Sequence, residues 1–234
     1  MSAPLLQARG LVRVLPGEVE TTLIDGIDLD IAAGEFLAIT GPSGSGKSSL
    51  LYMLGLLDAP TRGTLAIEGR ETTGLDEDAR SDLRLAALGF VFQFHFLLPE
   101  FSALDNVRLP MRALNALPER AQIARADELL VSLGLEGHQH KRPDQMSGGQ
   151  RQRVAIARSL ANAPKLLLAD EPTGNLDTHS TDQVIGIFRA LVDEGRASVA
   201  IVTHDLSLAA RADRRVHVVD GKLAPLDPFA RAAG

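Results

Sequence analysis

The sequence predicts an α/β fold in which a mainly parallel sheet is interrupted by a helical insertion. Two observations predict the sheet: a glycine-rich loop stands between an apolar run and a leucine-rich run, and a later apolar run ends in two adjacent carboxylates. Strand, glycine loop and helix in this order are typical of parallel α/β sheets. A third observation predicts the insertion, because helix-like segments occur near residues 103–113, 118–133 and 149–161.

The glycine-rich loop matches the complete pattern G-x-x-x-x-G-K-[ST]. Its residues are Gly41, Pro42, Ser43, Gly44, Ser45, Gly46, Lys47 and Ser48, and Ser49 follows them. Glycine permits backbone angles that turn successive amide groups towards an anion, and the N-terminus of the next helix adds positive potential. Residues 36–39 predict the strand before the loop, and residues 48–57 predict the helix after it. The pattern therefore predicts an ATP site in which Lys47 contacts the β- and γ-phosphates and Ser48 binds Mg²⁺.

The second apolar run, residues 166–169, ends in Asp170 and Glu171. Open α/β sheets bind their ligands at the carboxyl ends of the strands, so these acids are expected beside the glycine loop. Asp170 is predicted to hold Mg²⁺, directly or through water. Glu171 is predicted to orient or deprotonate the attacking water. A solvated acidic turn explains the run taken alone, but it does not explain the run together with the glycine loop.

A Ser-Gly-Gly-Gln turn lies between these two motifs, at residues 147–150. Ser147 can cap the helix predicted from about Gly149 to Ala161, because serine oxygens accept hydrogen bonds from amide groups in the first turn. The remaining amide groups of that turn are then free to face an anion. This local pattern is compatible with an anion at the start of the helix.

Six elements occur in the order that is typical of ABC transporter ATPases, and by this order nearly the whole chain resembles that family. They are the glycine loop, Gln93, the Ser147 turn, Asp170-Glu171, residues 174–177 and His204. The resemblance implies a P-loop (RecA-like) core with a mainly parallel sheet, N-terminal antiparallel β elements and an inserted α-helical subdomain. It also implies one domain over residues 1–234, in which residues 1–93 and 160–234 form the core and residues 94–159 form the helical subdomain.

The resemblance also implies a role for each motif. Two copies form a head-to-tail homodimer that encloses two ATP molecules, and Asp177 lies at the interface. The turn that contacts the partner's γ-phosphate comprises Ser147, Gly148, Gly149 and Gln150. The metal ligands are Ser48, Gln93 and Asp170, and the catalytic group comprises Lys47, Gln93, Glu171 and His204.

An aromatic segment, residues 90–101, contains five of the nine aromatic residues of the chain. In the family, the residues after the glutamine form the groove that receives the membrane subunit. Phe90 and Phe92 are predicted to belong to the core of a strand. The predicted contacts with an integral membrane permease subunit are Phe94, Phe96, Leu97 and Leu98. The alternative is that all of these side chains form the core of the helical insertion.

Residues 93–101, 103–107 and 169–177 narrow the resemblance to one subfamily. It contains the lipoprotein-releasing ATPases, which resemble this chain most, together with MacB-like efflux ATPases and antimicrobial-peptide exporters. The resemblance implies an ATPase that drives lipoprotein release from the inner membrane, with an efflux or peptide-export motor as the alternative. Two further alternatives are a non-transport ABC ATPase and an adaptor that binds ATP without hydrolysis. Non-transport ABC ATPases usually have tandem cassettes or long coiled coils, and this sequence shows neither. The intact catalytic set disfavours an adaptor that binds ATP without hydrolysis.

One position departs from the family pattern. ABC ATPases usually stack an aromatic side chain near the N-terminus on adenine, but no aromatic residue or histidine precedes Phe36. A rough alignment puts Leu15 or Val14 at this position. Because aromatic stacking contributes on the order of 1 kcal/mol, we expect weaker affinity or weaker base selectivity.

Composition restricts the partners and the location. The net charge of −6 argues against nucleic acid. Without a transmembrane-length apolar run or a signal-peptide core, the chain is expected in the cytoplasm, peripheral on the cytoplasmic face of the inner membrane. The absence of cysteine is compatible with a reducing compartment. Residues 68–84 are predicted to form a solvated loop and helix, and residues 222–234 a short tail.

Overall fold

The computed structural model describes residues 4–225, which form two β-sheets and the helices packed around them. The strands are β1 (Leu6–Leu15), β2 (Thr21–Ile31), β3 (Phe36–Thr40), β4 (Arg62–Ile67), β5 (Arg70–Glu71), β6 (Leu88–Phe92), β7 (Leu166–Asp170), β8 (Ser198–Val202), β9 (Arg214–Val219) and β10 (Lys222–Ala224). The helices are α1 (Lys47–Leu54), α2 (Glu77–Ala87), α3 (Ala103–Leu114), α4 (Glu119–Ser132), α5 (Gly148–Ser159), α6 (Thr178–Asp193) and α7 (Leu206–Ala209), with a 3₁₀ turn at Pro143–Gln145.

The first sheet is antiparallel and has the order β2-β1-β4-β5. Strand β1 lies between β2 and β4 and pairs with both. Buried Leu6 and Ala8 alternate with exposed residues in the first part of β1, as in a sheet with one face against the core. The N-terminal antiparallel β elements of the predicted fold are therefore confirmed.

The second sheet has the order β10-β9-β3-β8-β7-β6. All neighbouring pairs from β9 to β6 are parallel, whereas β10 is antiparallel to β9. Every residue of β3, β7 and β8 is buried, as expected for parallel strands covered on both faces. The register pairs Asp170 with both Phe92 and Val202, and it pairs Val202 with Ile39. The loops that follow β6, β7, β8 and β3 therefore begin side by side at one edge of the sheet.

Two apolar clusters hold the layers together. One joins β3, β7 and β8 to helices α3–α6, and in it the Phe36 ring packs edge-on against the Phe188 ring. The other joins the opposite face of the sheet to α1 and to the antiparallel sheet. Helices α3, α4 and α5 agree with the predicted helices within two residues at each end. No helix within residues 4–225 has the length and apolar character needed to cross a membrane.

Two predictions about element ends were wrong. Helix α1 ends at Leu54 rather than at residue 57, because Gly55 caps it and Leu56 has a positive φ of 59°. Residues 222–224 form β10 instead of a tail, since they pair with β9. The remainder of the predicted tail, residues 226–234, and residues 1–3 lie outside the described range.

The end of α1 leads to a stability prediction. A Cβ on Gly55 would lie 2.5 Å from the Phe90 ring, whereas a Cβ on Gly186, in the middle of α6, would meet no atom within 4 Å. We expect Gly55→Ala to lower the free energy of unfolding by about 1–3 kcal/mol through overpacking. Gly186→Ala, the control, should raise it by about 0.5–1 kcal/mol. Urea denaturation measures both values, and an unchanged or raised stability for Gly55→Ala would contradict the prediction.

Candidate active site

The glycine loop connects β3 to α1 at the edge where the parallel strands end. Gly41 has a φ of 148°, and a Cβ there would lie 2.1 Å from the Val218 carbonyl oxygen. Gly46 has a φ of 99°, and a Cβ there would lie 2.4 Å from the Leu23 carbonyl oxygen. Glycine is therefore required at both positions. The Lys47 ammonium group donates hydrogen bonds to the carbonyl oxygens of Gly41 and Pro42, at 2.9 and 2.7 Å. The lysine charge is thereby held inside the loop.

The start of α1 fits an anion. Its N-cap residue, Gly46, provides no side-chain hydrogen bond, whereas Asp76, Ser102 and Asp177 cap the helices that follow them. The first amide groups of a helix have no partner within the helix, and without a cap they remain available to an external acceptor. A nearby ammonium group and free amide groups are the combination that binds phosphate.

The buried carboxylate of Asp170 receives one hydrogen bond on each oxygen. Ser48 Oγ donates to Oδ1 at 3.0 Å, and the Tyr52 hydroxyl group donates to Oδ2 at 2.9 Å. Tyr52 was missed by the sequence analysis, although it lies four residues after Ser48 and therefore on the same face of α1. Burial, assisted by the hydrogen bond to Asp170 and its charge, raises the pKa of Tyr52 to about 12. The phenol therefore remains a protonated donor near neutral pH.

The same oxygens fit Mg²⁺. A serine hydroxyl and a carboxylate are hard oxygen donors, and they lie within 3.0 Å of each other. Residues 4–225 contain no group of three His, Cys, Asp or Glu side chains that could hold a metal alone. Mg²⁺ usually combines one or two protein ligands with water and substrate phosphates.

Glu171 and His204 form a pair beside this carboxylate. Glu171 has a φ of 47°, which is sparsely populated for residues other than glycine. Its amide group donates to the Val202 carbonyl oxygen, so the strained turn is held against the end of β8. Oε2 of Glu171 lies 2.9 Å from Nδ1 of His204, whose side chain is 75% exposed, against 21% for Glu171. The pair lines a cleft of about 320 Å³.

Gln93 follows β6 and reaches the loop after Glu171. Its Nε2 donates to Asn175 Oδ1 at 3.4 Å. A Cβ on Gly174 would lie 2.8 Å from the same nitrogen atom. Gly174 therefore leaves the space that the Gln93 amide occupies.

The Ser147 turn begins α5 with a reciprocal cap. Ser147 Oγ accepts from the Gln150 amide group, and Gln150 Oε1 accepts from the Ser147 amide group. Gly149 faces α6, where a Cβ would lie 2.6 Å from Ser180 Oγ. Asp177 caps α6, and hydrogen bonds from Ser180 lower the pKa of its carboxyl group. Within residues 4–225, no hydrogen bond or ion pair joins this turn to Lys47 or Asp170.

The aromatic segment borders a groove of about 460 Å³ between α2, α3, α5 and β6. Phe94 and Phe96 are 64% and 65% exposed, and Leu98 is also exposed. Leu97 is half-buried against the core. Phe90 and Phe92 belong to β6 as predicted, but both are only half-buried and both line the groove.

Comparison with known proteins identifies the family. The family model described as ABC transporter matches residues 24–174. The chain belongs to the ABC transporter family. It is 48% identical to the lipoprotein-releasing system ATP-binding protein LolD of Anaeromyxobacter dehalogenans, over 99% of this chain and 98% of the relative. It is 51% identical to LolD 2 of Caulobacter vibrioides, over 95% of this chain and 98% of the relative.

A solved structure confirms the fold class. The ATP-binding cassette MJ0796, in a dimeric post-hydrolysis state bound to ADP and Pi, matches this chain with a TM-score of 0.86 and 38% identity. The match covers 93% of this chain and 96% of that one. This ABC ATPase therefore has the cassette fold that was predicted from its six motifs.

The contact between Gly174 and Gln93 leads to a prediction. In Gly174→Ala, the new methyl group must displace the flexible end of Gln93, so we expect the free energy of unfolding to change by less than about 0.5 kcal/mol. Turnover should fall roughly tenfold to a hundredfold, because a misplaced catalytic group is costly. Steady-state ATP hydrolysis measures the loss, with Gly186→Ala as the control. Wild-type turnover in Gly174→Ala would show that the Gln93 position is unimportant.

Proposed function

We propose that this chain hydrolyses ATP as the nucleotide-binding subunit of a transporter that releases lipoproteins from the inner membrane. The observation that carries hydrolysis is the contact of Glu171 with His204 beside Asp170, because it places a candidate base next to a candidate metal ligand. The cargo is inferred from LolD relatives, which match nearly the whole chain.

In this proposal, the site residues bind the phosphates, hold Mg²⁺ and activate the attacking water. Lys47 and the first amide groups of α1 bind the β- and γ-phosphates. Mg²⁺, held by Ser48, Asp170 and Gln93, would neutralise negative charge on the phosphate oxygens. Glu171 accepts the proton of the attacking water, and His204 orients Glu171 and contacts the γ-phosphate.

The separation of the Ser147 turn from the glycine loop supports a head-to-tail homodimer. The amide groups of Gly148 and Gly149 are free to contact an anion, since the cap of α5 uses those of Ser147 and Gln150. The dimeric state of MJ0796 agrees with this arrangement. We therefore assign Ser147, Gly148, Gly149 and Gln150 to the partner's γ-phosphate and Asp177 to the interface.

The groove beside β6 is the proposed contact with the membrane permease subunits. Phe90 and Phe92 contribute to its wall, and the exposed ring of Phe96 packs against Phe92. Phe94 and Leu98, which are also exposed, belong to the same segment. Exposed aromatic side chains beside a concave apolar surface are typical of binding sites for partner helices. With this contact we propose that the chain is peripheral on the cytoplasmic face of the inner membrane.

The decisive experiment is affinity purification from the native membrane of tagged Glu171→Gln with ATP, which holds the closed dimer. We expect membrane subunits with large periplasmic domains and bound lipoproteins to co-purify. Co-purification of an outer-membrane channel and a periplasmic adaptor would instead identify the motor of a MacB-like efflux pump. Purification without any membrane protein would contradict a transport function.

The assignment of Glu171 predicts a separation of hydrolysis from binding. Glu171→Gln should lower the rate of hydrolysis at least about a hundredfold, because the amide group cannot accept the proton of water. ATP affinity should remain within about threefold of wild type, since Glu171 contributes little to ground-state binding in this account. Rapid-quench kinetics and equilibrium nucleotide binding measure the two quantities. Unchanged hydrolysis would remove Glu171 from the role of base.

The missing adenine-stacking aromatic predicts a gain of affinity. Neighbouring side chains in a strand face opposite sides, so only one of Leu15 and Val14 can lie over the base. Leu15 is the more exposed of the two. We expect Leu15→Tyr to tighten ATP binding about fivefold, equivalent to roughly 1 kcal/mol of stacking energy. Val14→Tyr is the matched control, and tightening by the control alone would place the base on the other face.

A further inference from the structure

We propose that Tyr52 is a positioning residue that orients Asp170 and connects it, through Phe92, to the exposed ring of Phe96. The proposal rests on the proposed function in one respect, namely that a membrane subunit contacts the face that contains Phe96. Tyr52 is not part of the glycine loop or of any other motif that the sequence indicated.

The first link is the hydrogen bond from the Tyr52 hydroxyl group to Asp170 Oδ2, at 2.9 Å. Ser48 already occupies Oδ1, so the phenol restricts rotation of the carboxylate by holding its second oxygen atom. Outer hydrogen bonds of this kind commonly fix the orientation of metal ligands. Loss of the hydroxyl group therefore changes the precision of the site rather than its composition.

The second link is a row of contacting rings that begins at Tyr52. The Tyr52 and Phe92 centroids lie 6.4 Å apart at an interplanar angle of 65°. The Phe92 and Phe96 centroids lie 5.5 Å apart, edge to face at 79°. Phe96 in turn contacts Phe94 at 6.4 Å. We call Tyr52, Phe92, Phe96 and Phe94 the aromatic row; it leads from a buried carboxylate to two exposed rings.

The outer end of the row is held under strain. Phe96 has a positive φ of 47°, a conformation that side chains other than glycine seldom adopt. Arg158 of α5 donates one hydrogen bond to the Phe96 carbonyl oxygen and another to that of His95, both at 2.7 Å. The backbone of Phe96 is therefore fixed to the helix that begins with the Ser147 turn. A partner that presses on the Phe96 ring must move Phe92 or this clamp.

These contacts give a physical route between two sites. A change at the Phe96 face moves Phe92 against the Tyr52 ring, and a tilt of that ring changes the hydrogen bond to Asp170. Linkage requires the reverse effect as well, so that occupancy of the Asp170 site alters the Phe96 face. This route runs through ring contacts and not through the side chain of Gln93, which contacts Asn175.

The chain contains its own reporter for this route, because it has one tyrosine and no tryptophan. Tyrosine emission therefore reports Tyr52 alone, and hydrogen bonding of a phenol to a carboxylate quenches that emission. We expect Phe96→Leu to shift the emission intensity of the isolated chain. Phe101→Leu is the matched control, since within residues 4–225 Phe101 has no ring contact with the aromatic row. Equal emission in wild type and both variants would overturn the proposal.

A double-mutant cycle tests the route by a second readout. Tyr52→Phe should raise the Mg²⁺ concentration for half-maximal ATP hydrolysis roughly tenfold, with turnover at saturating Mg²⁺ retained. Phe96→Leu should raise this half-maximal Mg²⁺ concentration in the wild-type background but not in the Tyr52→Phe background. Independent effects of the two substitutions would overturn the coupling. The emission test needs neither a membrane partner nor hydrolysis, so its failure is distinguishable from failure of the lipoprotein-release proposal.

Discussion

Four parallel strands end level with one another, and the chemistry of this chain depends on that alignment. The register of β6, β7, β8 and β3 is set by complete burial of the three central strands, because a shift along any of them would expose apolar side chains or unpair buried amide groups. A different group lies at or after each strand end: the Gln93 amide at β6, the Asp170 and Glu171 carboxylates at β7, the His204 imidazole at β8 and the glycine loop at β3. The site is therefore a consequence of how the sheet packs.

Helix α5 connects this edge to the surfaces where partners are proposed to bind. The buried Gln152 donates to the carbonyl oxygen of Pro172, directly after Glu171, at 2.7 Å. Arg158 holds the aromatic segment further along the same helix. A helix that is fixed at several points moves as one body, so a displacement at the groove reaches the Ser147 turn. The proposed contacts with the membrane subunit and with the second copy are thus joined by one rigid element.

Local motifs predicted much of the fold and of the site, because their residues act within a few positions of one another. The glycine loop, the carboxylates at the end of β7 and the cap at Ser147 were predicted with the correct local structure. Tyr52 was not predicted, since its importance comes from a contact with a strand more than a hundred residues away. The early end of α1 was missed because it depends on Gly55 packing against Phe90 of another strand. Strand β10 was missed although its signal is local: Asp220 and Gly221, both at positive φ, form a two-residue hairpin turn between β9 and β10.

In the proposed dimer, each active site is completed by two copies of the chain. The most direct measurement is ATP hydrolysis by a mixture of two inactive variants, Lys47→Ala and Ser147→Arg, each of which is also assayed alone. Ser147 is exposed, so arginine there blocks the proposed phosphate contact without disturbing the core. In a head-to-tail dimer, a mixed pair contains one site with both residues intact, so we expect mixing to restore hydrolysis above that of either variant. A mixture no more active than its components would contradict a site shared between copies.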